Sequence, residues 1–191
     1  MVKKTLIWLM LMGLITVPIG MAALSPLLAW RTPIYIIASF AGIIALALLL
    51  VQTLAIKGLL PGLSTLSARY THRWIGTGIL CLVVIHVGGL WITSPWDVID
   101  ALLFRSPTVF APWGVLAMWA LFLSGVLALL RFRGKFPWRY WRVIHPILAG
   151  FAVIGTVVHA VYIEGTMEPI SKALICGAVI LASATVFWRR I

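Results

Sequence analysis

Residues 72–94 read HRWIGTGILCLVVIHVGGLWITS, 23 positions whose single formal charge, Arg73, sits at the edge. A helix that crosses the hydrocarbon layer needs about 20 mostly apolar residues, and this stretch supplies them without a carboxylate. Two histidines set it apart from a plain apolar span: His72 at one end and His86 well inside. The arrangement recurs at residues 140–163, YWRVIHPILAGFAVIGTVVHAVYI, where His145 and His159 are again separated by 14 residues.

Outward from these two, apolar stretches at about 5–30, 32–56, 109–130 and 169–188 bring the spans to six and leave little chain between them. Of the 191 residues, 63% are hydrophobic and 10% charged, and mean hydropathy is +1.12. A soluble domain carries about a quarter charged residues, so too few polar side chains remain here to cover a water-facing surface. That excludes a soluble enzyme and a disordered chain. The short alternating segments of a membrane barrel are absent. The expected fold is all-α: one transmembrane domain, a six-helix bundle. Lys3-Lys4, an apolar run and Gly20-Met21-Ala22-Ala23 also have the make-up of a cleaved signal peptide. The run continues to Trp30, however, and is long enough to span.

Charge then sets the expected orientation. With the N-terminus inside, the inner face holds Lys3, Lys4, Lys57, Arg69, Arg73, Arg131, Arg133, Lys135, Arg139, Arg142, Arg189 and Arg190, leaving Arg31, Arg105 and Lys172 outside. All four acids, Asp97, Asp100, Glu164 and Glu168, fall outside. Both termini are therefore expected in the cytoplasm and the chain in a cell's inner (plasma) membrane. The net charge of +11 reports topology and contact with anionic lipid rather than a nucleic-acid partner. Tryptophans agree: Trp74, Trp138, Trp141 and Trp188 flank the inner boundary, and Trp30, Trp91, Trp96 and Trp113 the outer one. Cys81 and Cys176 lie mid-span on different helices and read as small packing residues. Gly58 to Thr71 reads as an interfacial loop or short surface helix.

The histidines carry the functional argument. A spacing of 14 residues puts two side chains about 21 Å apart along a helix and within about 40° of one face. The third and fifth spans run in the same direction, so His72 is expected to face His145 at an inner level and His86 to face His159 at an outer one. An imidazole deep in a membrane span is costly and marks function by default, whereas an interfacial one such as His72 or His145 needs no special reason. Zinc would want four close ligands at one level, and a cation pathway would want carboxylates, which the span interiors lack. A flat macrocycle with one imidazole above and one below its iron fits: haem, with both axial sites filled, which favours electron transfer over chemistry at the metal. Gly76, Gly89, Ala149 and Gly155 lie near the histidines and would let a ring rest against the backbone, or would simply tighten helix packing. Arg69, Arg73 and Arg142 at the inner rim could pair with haem propionates or could simply follow the charge rule. A histidine-lined proton or metal transporter and a structural membrane subunit remain as other readings.

At these residues the chain resembles the ferric reductase-like transmembrane family, which includes ferric reductases, NADPH oxidases and the haem-binding membrane subunit of the bacterial methionine-sulfoxide reductase system. The matching pieces are Tyr70-Thr71-His72-Arg73-Trp74-Ile75-Gly76 with His86 following, and Trp138-Arg139-Tyr140-Trp141-Arg142-Val143-Ile144-His145 leading to His159. The similarity extends over about residues 35–190. It implies an electron-transfer subunit of an oxidoreductase: two b-type haems, one on His72 and His145 and one on His86 and His159. It also implies electrons from a cytosolic flavin or NAD(P)H donor and an outer-face acceptor, such as ferric chelate, dioxygen or a redox protein. No flavin or nicotinamide domain follows the sixth span within these residues, so the expected donor is a partner flavoprotein reductase or a flavin held at the inner face. Ser94–Thr108, with Asp97, Asp100 and Arg105, is the expected docking surface for an outer-face redox protein. Pro146, directly after His145, is expected to kink the helix at that position.

Overall fold

The computed structural model describes residues 2–188, with side chains through Thr185. Arg189, Arg190 and the Trp188 side chain, all used above to orient the chain, lie outside the described residues. Among the described residues there are seven α-helices: α1 (Val2–Ala23), α2 (Pro33–Ile56), α3 (Thr65–Thr93), α4 (Pro95–Leu102), α5 (Ala111–Phe132), α6 (Trp138–Tyr162) and α7 (Pro169–Trp188). Five of them, α1, α2, α3, α5 and α6, are long and apolar enough to cross a membrane, and α7 adds a shorter apolar stretch, Pro169–Thr185. The all-α, multi-pass reading therefore holds, and each of the six expected spans has its helix.

The boundaries differ where local chemistry overrides hydropathy. The first span, expected to run to residue 30, ends at Ala23. Ser25 then caps a 3-10 turn, Pro26–Leu28, its hydroxyl accepting from the Leu27 N–H; Pro26 has no N–H with which to extend the helix. The third helix starts at Thr65 rather than 72, because Ser64 caps it and accepts from the Ser67 N–H at 3.1 Å. Such a cap contributes about 1 kcal/mol. The segment Gly58–Thr71 is therefore loop only as far as Ser64, and its remainder forms the first turns of α3. Arg69, Tyr70, Arg73 and Trp74 are exposed there, so the helix begins before its apolar stretch does. The connection after α3 holds α4, which opens on Pro95 with Asp97 in its first turn, both suited to a helix N-terminus. α6 continues through Pro146.

α3 lies along α2, and α6 along α5. Small residues permit this closeness: a Cβ on Gly89 would stand 2.7 Å from the Ala38 Cβ, and one on Gly155 2.8 Å from the Trp113 carbonyl oxygen. α7 packs against α6, α2 and α1, and the backbones of α3 and α6 scarcely approach each other. Leu46, Leu50, Ile79, Val153, Ile175 and Val179 form one buried cluster where α2, α3, α6 and α7 meet. Cys176 belongs to it, Cys81 is exposed, and both thiols are free.

The Trp8 indole N–H donates to the Pro61 carbonyl, which ties the start of α1 to the α2–α3 loop. Lys3, Lys4, Lys57, Arg69, Arg73 and the basic α5–α6 connection thus share one end of the bundle. The four acids share the other, on α4 and between α6 and α7.

At that acidic end the helix termini are capped by charge. Lys172 Nζ donates to the Ile163 and Val161 carbonyls at the end of α6. The Glu168 carboxylate accepts from the Ser171 N–H at 2.7 Å and the Ile170 N–H at 2.9 Å. Those two donors hold its pKa below the ordinary carboxylate value. A depressed value means that the charged cap is present at neutral pH and is lost as pH falls through the depressed pKa. In Glu168→Ala, amide hydrogen exchange at Ile170 and Ser171 is expected to accelerate. In the native chain, acid is expected to lower the protection factors of these two amides, measured against their intrinsic rates at the same pH.

Candidate functional site

Both histidine pairs face each other across the gap between α3 and α6. His72 and His145 have ring centroids 6.3 Å apart with planes crossed at 79°. His86 and His159 are 6.4 Å apart with planes at 83°. Two levels follow, because the two helices run the same way and repeat the same spacing.

The helix behind each ring aims it. His86 lies against α2, where its Nδ1–H donates to the Ala38 carbonyl at 2.8 Å. His159 lies against the start of α5 and donates to the Phe110 carbonyl at 2.9 Å. In both cases the accepting carbonyl lies four residues before a glycine, Gly42 or Gly114. A Cβ on Gly42 would sit 3.0 Å from His86 Nδ1, and one on Gly114 only 2.5 Å from His159 Nδ1. The missing side chain is what lets an imidazole reach a carbonyl already engaged in its helix. His72 donates to the Gln52 carbonyl over a longer 3.5 Å; the residue four after Gln52 is Ile56, which has a full side chain. His145 Nδ1 is 2.9 Å from the Ser124 hydroxyl on α5, and its ring stacks on Trp141 at 4.3 Å and 11°.

The two helical hairpins are copies of one plan. Phe110, Gly114 and Ser124 each follow Ala38, Gly42 and Gln52 by 72 positions, and His145 and His159 follow His72 and His86 by 73. The α2–α3 hairpin and the α5–α6 hairpin each present two imidazoles, braced from behind at equivalent places.

What this arrangement can hold follows from donor count. With Nδ1 donating to a carbonyl, as in His72, His86 and His159, Nε2 carries the lone pair. With metal–nitrogen bonds of about 2.0 Å and about 1.1 Å from nitrogen to ring centre, two axial imidazoles on one ion stand about 6.2 Å apart. Both levels match that spacing. A bare ion would find too few ligands, since among the described residues no group of three or more His, Cys, Asp or Glu side chains could hold one. A metal that brings four in-plane donors of its own needs two more, and each level offers two. Haem fits this donor set.

Ile79 lies seven residues from both His72 and His86, and Ala152 seven from both His145 and His159; they are 2% and 1% exposed. Leu46, Leu50 and Val153 belong to the same buried cluster as Ile79. Gly76, Gly89 and Gly155 face Gln52, Ala38 and the Trp113–Ala117 turn respectively, so they serve helix packing rather than a macrocycle. Arg69, Arg73 and Arg142 lie exposed at the His72–His145 end, with the Arg73 guanidinium 5.3 Å from the Phe132 ring centre. Sequence reasoning missed Ala38, Gly42, Phe110, Gly114 and Ser124 as histidine supports. The constant 72-residue offset was the signal that could have found them.

Outer-shell partners of a metal-ligating histidine typically matter by about 10–100-fold in affinity. Were haem held between His86 and His159, Gly114→Ala would be expected to weaken its retention on that scale, and Gly42→Ala less, since its Cβ would meet a looser contact. Haem absorbance per purified chain measures both.

Comparison with known sequences now adds to the geometry. Residues 38–156 match the profile of a family described as "Ferric reductase like transmembrane component". The matched segment contains His72, His86 and His145 and ends three residues before His159. Neither the curated proteins nor the solved structures gave a match.

Proposed function

Because the chain belongs to the ferric reductase-like transmembrane component family, whose character is haem-based electron transfer across a membrane, we propose that it is a two-haem transmembrane electron conduit. The observation that carries this reading is the pair of facing imidazole sets at 6.3 and 6.4 Å. On this reading His72 and His145 hold one b-type haem at the basic end, and His86 and His159 hold the second at the acidic end. When bound, haem would supply a one-electron carrier.

The protein's own contribution is position. Four Nδ1 bonds fix the ring planes, so little reorganises when charge arrives. Ile79 and Ala152, buried midway between the two histidines of their helices, put apolar side chains rather than titratable ones between the levels. Arg69, Arg73 and Arg142 stand where they could pair with propionates at the basic end. With the N-terminus inside by the positive-inside rule, a cytosolic flavin or NAD(P)H-dependent reductase would deliver electrons at the basic end. An outer-face acceptor would collect them near α4, where Asp97 and Asp100 lie.

Purified chain is expected to show the sharp α and Soret bands of bis-imidazole haem, with about two haems per chain. His86→Ala and His159→Ala should each remove the same haem, and His72→Ala and His145→Ala the other. No haem, or losses that follow a helix rather than a level, would defeat the proposal.

A further inference from the structure

Ser94 is both the C-cap of α3 and the N-cap of α4, so the chain turns out of a membrane-length helix directly into α4. Trp91 precedes that turn, and Trp113 stands near the start of α5, where the chain goes back in. Tryptophans at span ends mark the headgroup level, which puts α4 at the membrane boundary of the acidic end. There it packs on α3 and α5 and divides its surface three ways. Val98 is buried, with Ala101 and Leu102 half-buried beside it. At about 100° per residue, Trp96 and Leu103 fall within about 20° of each other, away from Val98; both are exposed. Exposed Asp100 and Asp97 come about 40° and about 100° further round from Trp96.

The turn after α4 adds a third exposed apolar side chain, in a conformation that disfavours it. Phe104 has φ 55°, and its N–H and the Arg105 N–H close the helix on the Ala101 and Asp100 carbonyls. α2 and α5 close in the same way at Gly58 and Gly134, with φ 66° and 69°. Glycine holds that conformation without penalty and phenylalanine does not. Among the described residues Phe104 is the only non-glycine with positive φ. In water the exposed ring would only add to that cost, whereas burial in acyl chains offsets it.

We infer that Trp96, Leu103 and Phe104 are seated in the lipid of the adjoining leaflet, so that α4 is a half-submerged interfacial helix and not a surface given wholly to a protein partner. Asp97 and Asp100 keep the water side, because a carboxylate is expensive to bury in lipid. Any soluble partner arriving at this end therefore meets the acidic edge of α4 and not its aromatic one. The assignment is independent of whether haem is bound.

The test is spin-label accessibility of the full-length chain in nanodiscs, in a background carrying Cys81→Ala and Cys176→Ala. Labels are placed one at a time through Trp96→Cys, Leu103→Cys and Phe104→Cys, and through Asp97→Cys and Asp100→Cys on the other edge. The first three are expected to collide more with oxygen, which concentrates in acyl chains, than with a water-soluble nickel chelate. The last two are expected to show the reverse. The Leu103→Cys label leaves both aromatic rings in place; adding Phe104→Gly should raise its access to nickel, and adding Phe104→Trp should not. If all five labels meet the nickel chelate, the face is open to water and the inference is wrong. If the first three meet neither reagent, a second copy or another protein covers them, and the inference is equally wrong.

Discussion

Everything in this bundle depends on the bond that each histidine makes backward, through Nδ1, to the helix behind it. An imidazole in a membrane interior is expensive unless its polar atoms are satisfied. Here the partner is an accepting helix carbonyl in three cases and a serine hydroxyl in the fourth. Where the partner is a carbonyl, that contact makes Nδ1 the donor and leaves the lone pair on Nε2. Without it the four histidines would be buried polar groups with several rotamers and no shared purpose.

The contact in turn dictates the packing. For an imidazole to reach a carbonyl inside a neighbouring helix, the two helices must lie close and something must be missing between them. Gly42 and Gly114 supply the gap beside His86 and His159. Gly89 and Gly155 bring the backbones together nearby. α2 and α3 therefore form one rigid unit and α5 and α6 another, and the gap between α3 and α6 is what these tight pairs leave open. The doubled plan is not exact: where Gln52 offers its backbone carbonyl to His72, the equivalent Ser124 meets His145 through its hydroxyl.

Much of this was legible beforehand. Span number, the matching 14-residue intervals and the pairing of His72 with His145 and His86 with His159 follow from apolar run length and helical repeat, quantities that are local in sequence. The start of α3 at Thr65 was not legible from hydropathy, because the cap at Ser64 and the exposed Arg69–Trp74 turn lie outside the apolar stretch. The break after Ala23 was missed for the opposite reason: the apolar run continues past the residue at which the helix stops. The roles of Gly76, Gly89 and Gly155 were open until their neighbours were known, since a glycine records that space is needed without saying for whom.

By itself the sequence determined that this is a multi-pass helical membrane protein with four imidazoles arranged at two depths. Hydrophobic length and the 3.6-residue period leave a chain of this composition few alternatives. Only the tertiary structure decided what the Nδ1 of each ring meets. Those contacts belong to pairs of residues 20 to 49 positions apart in the chain, brought together by helix packing that no local pattern encodes.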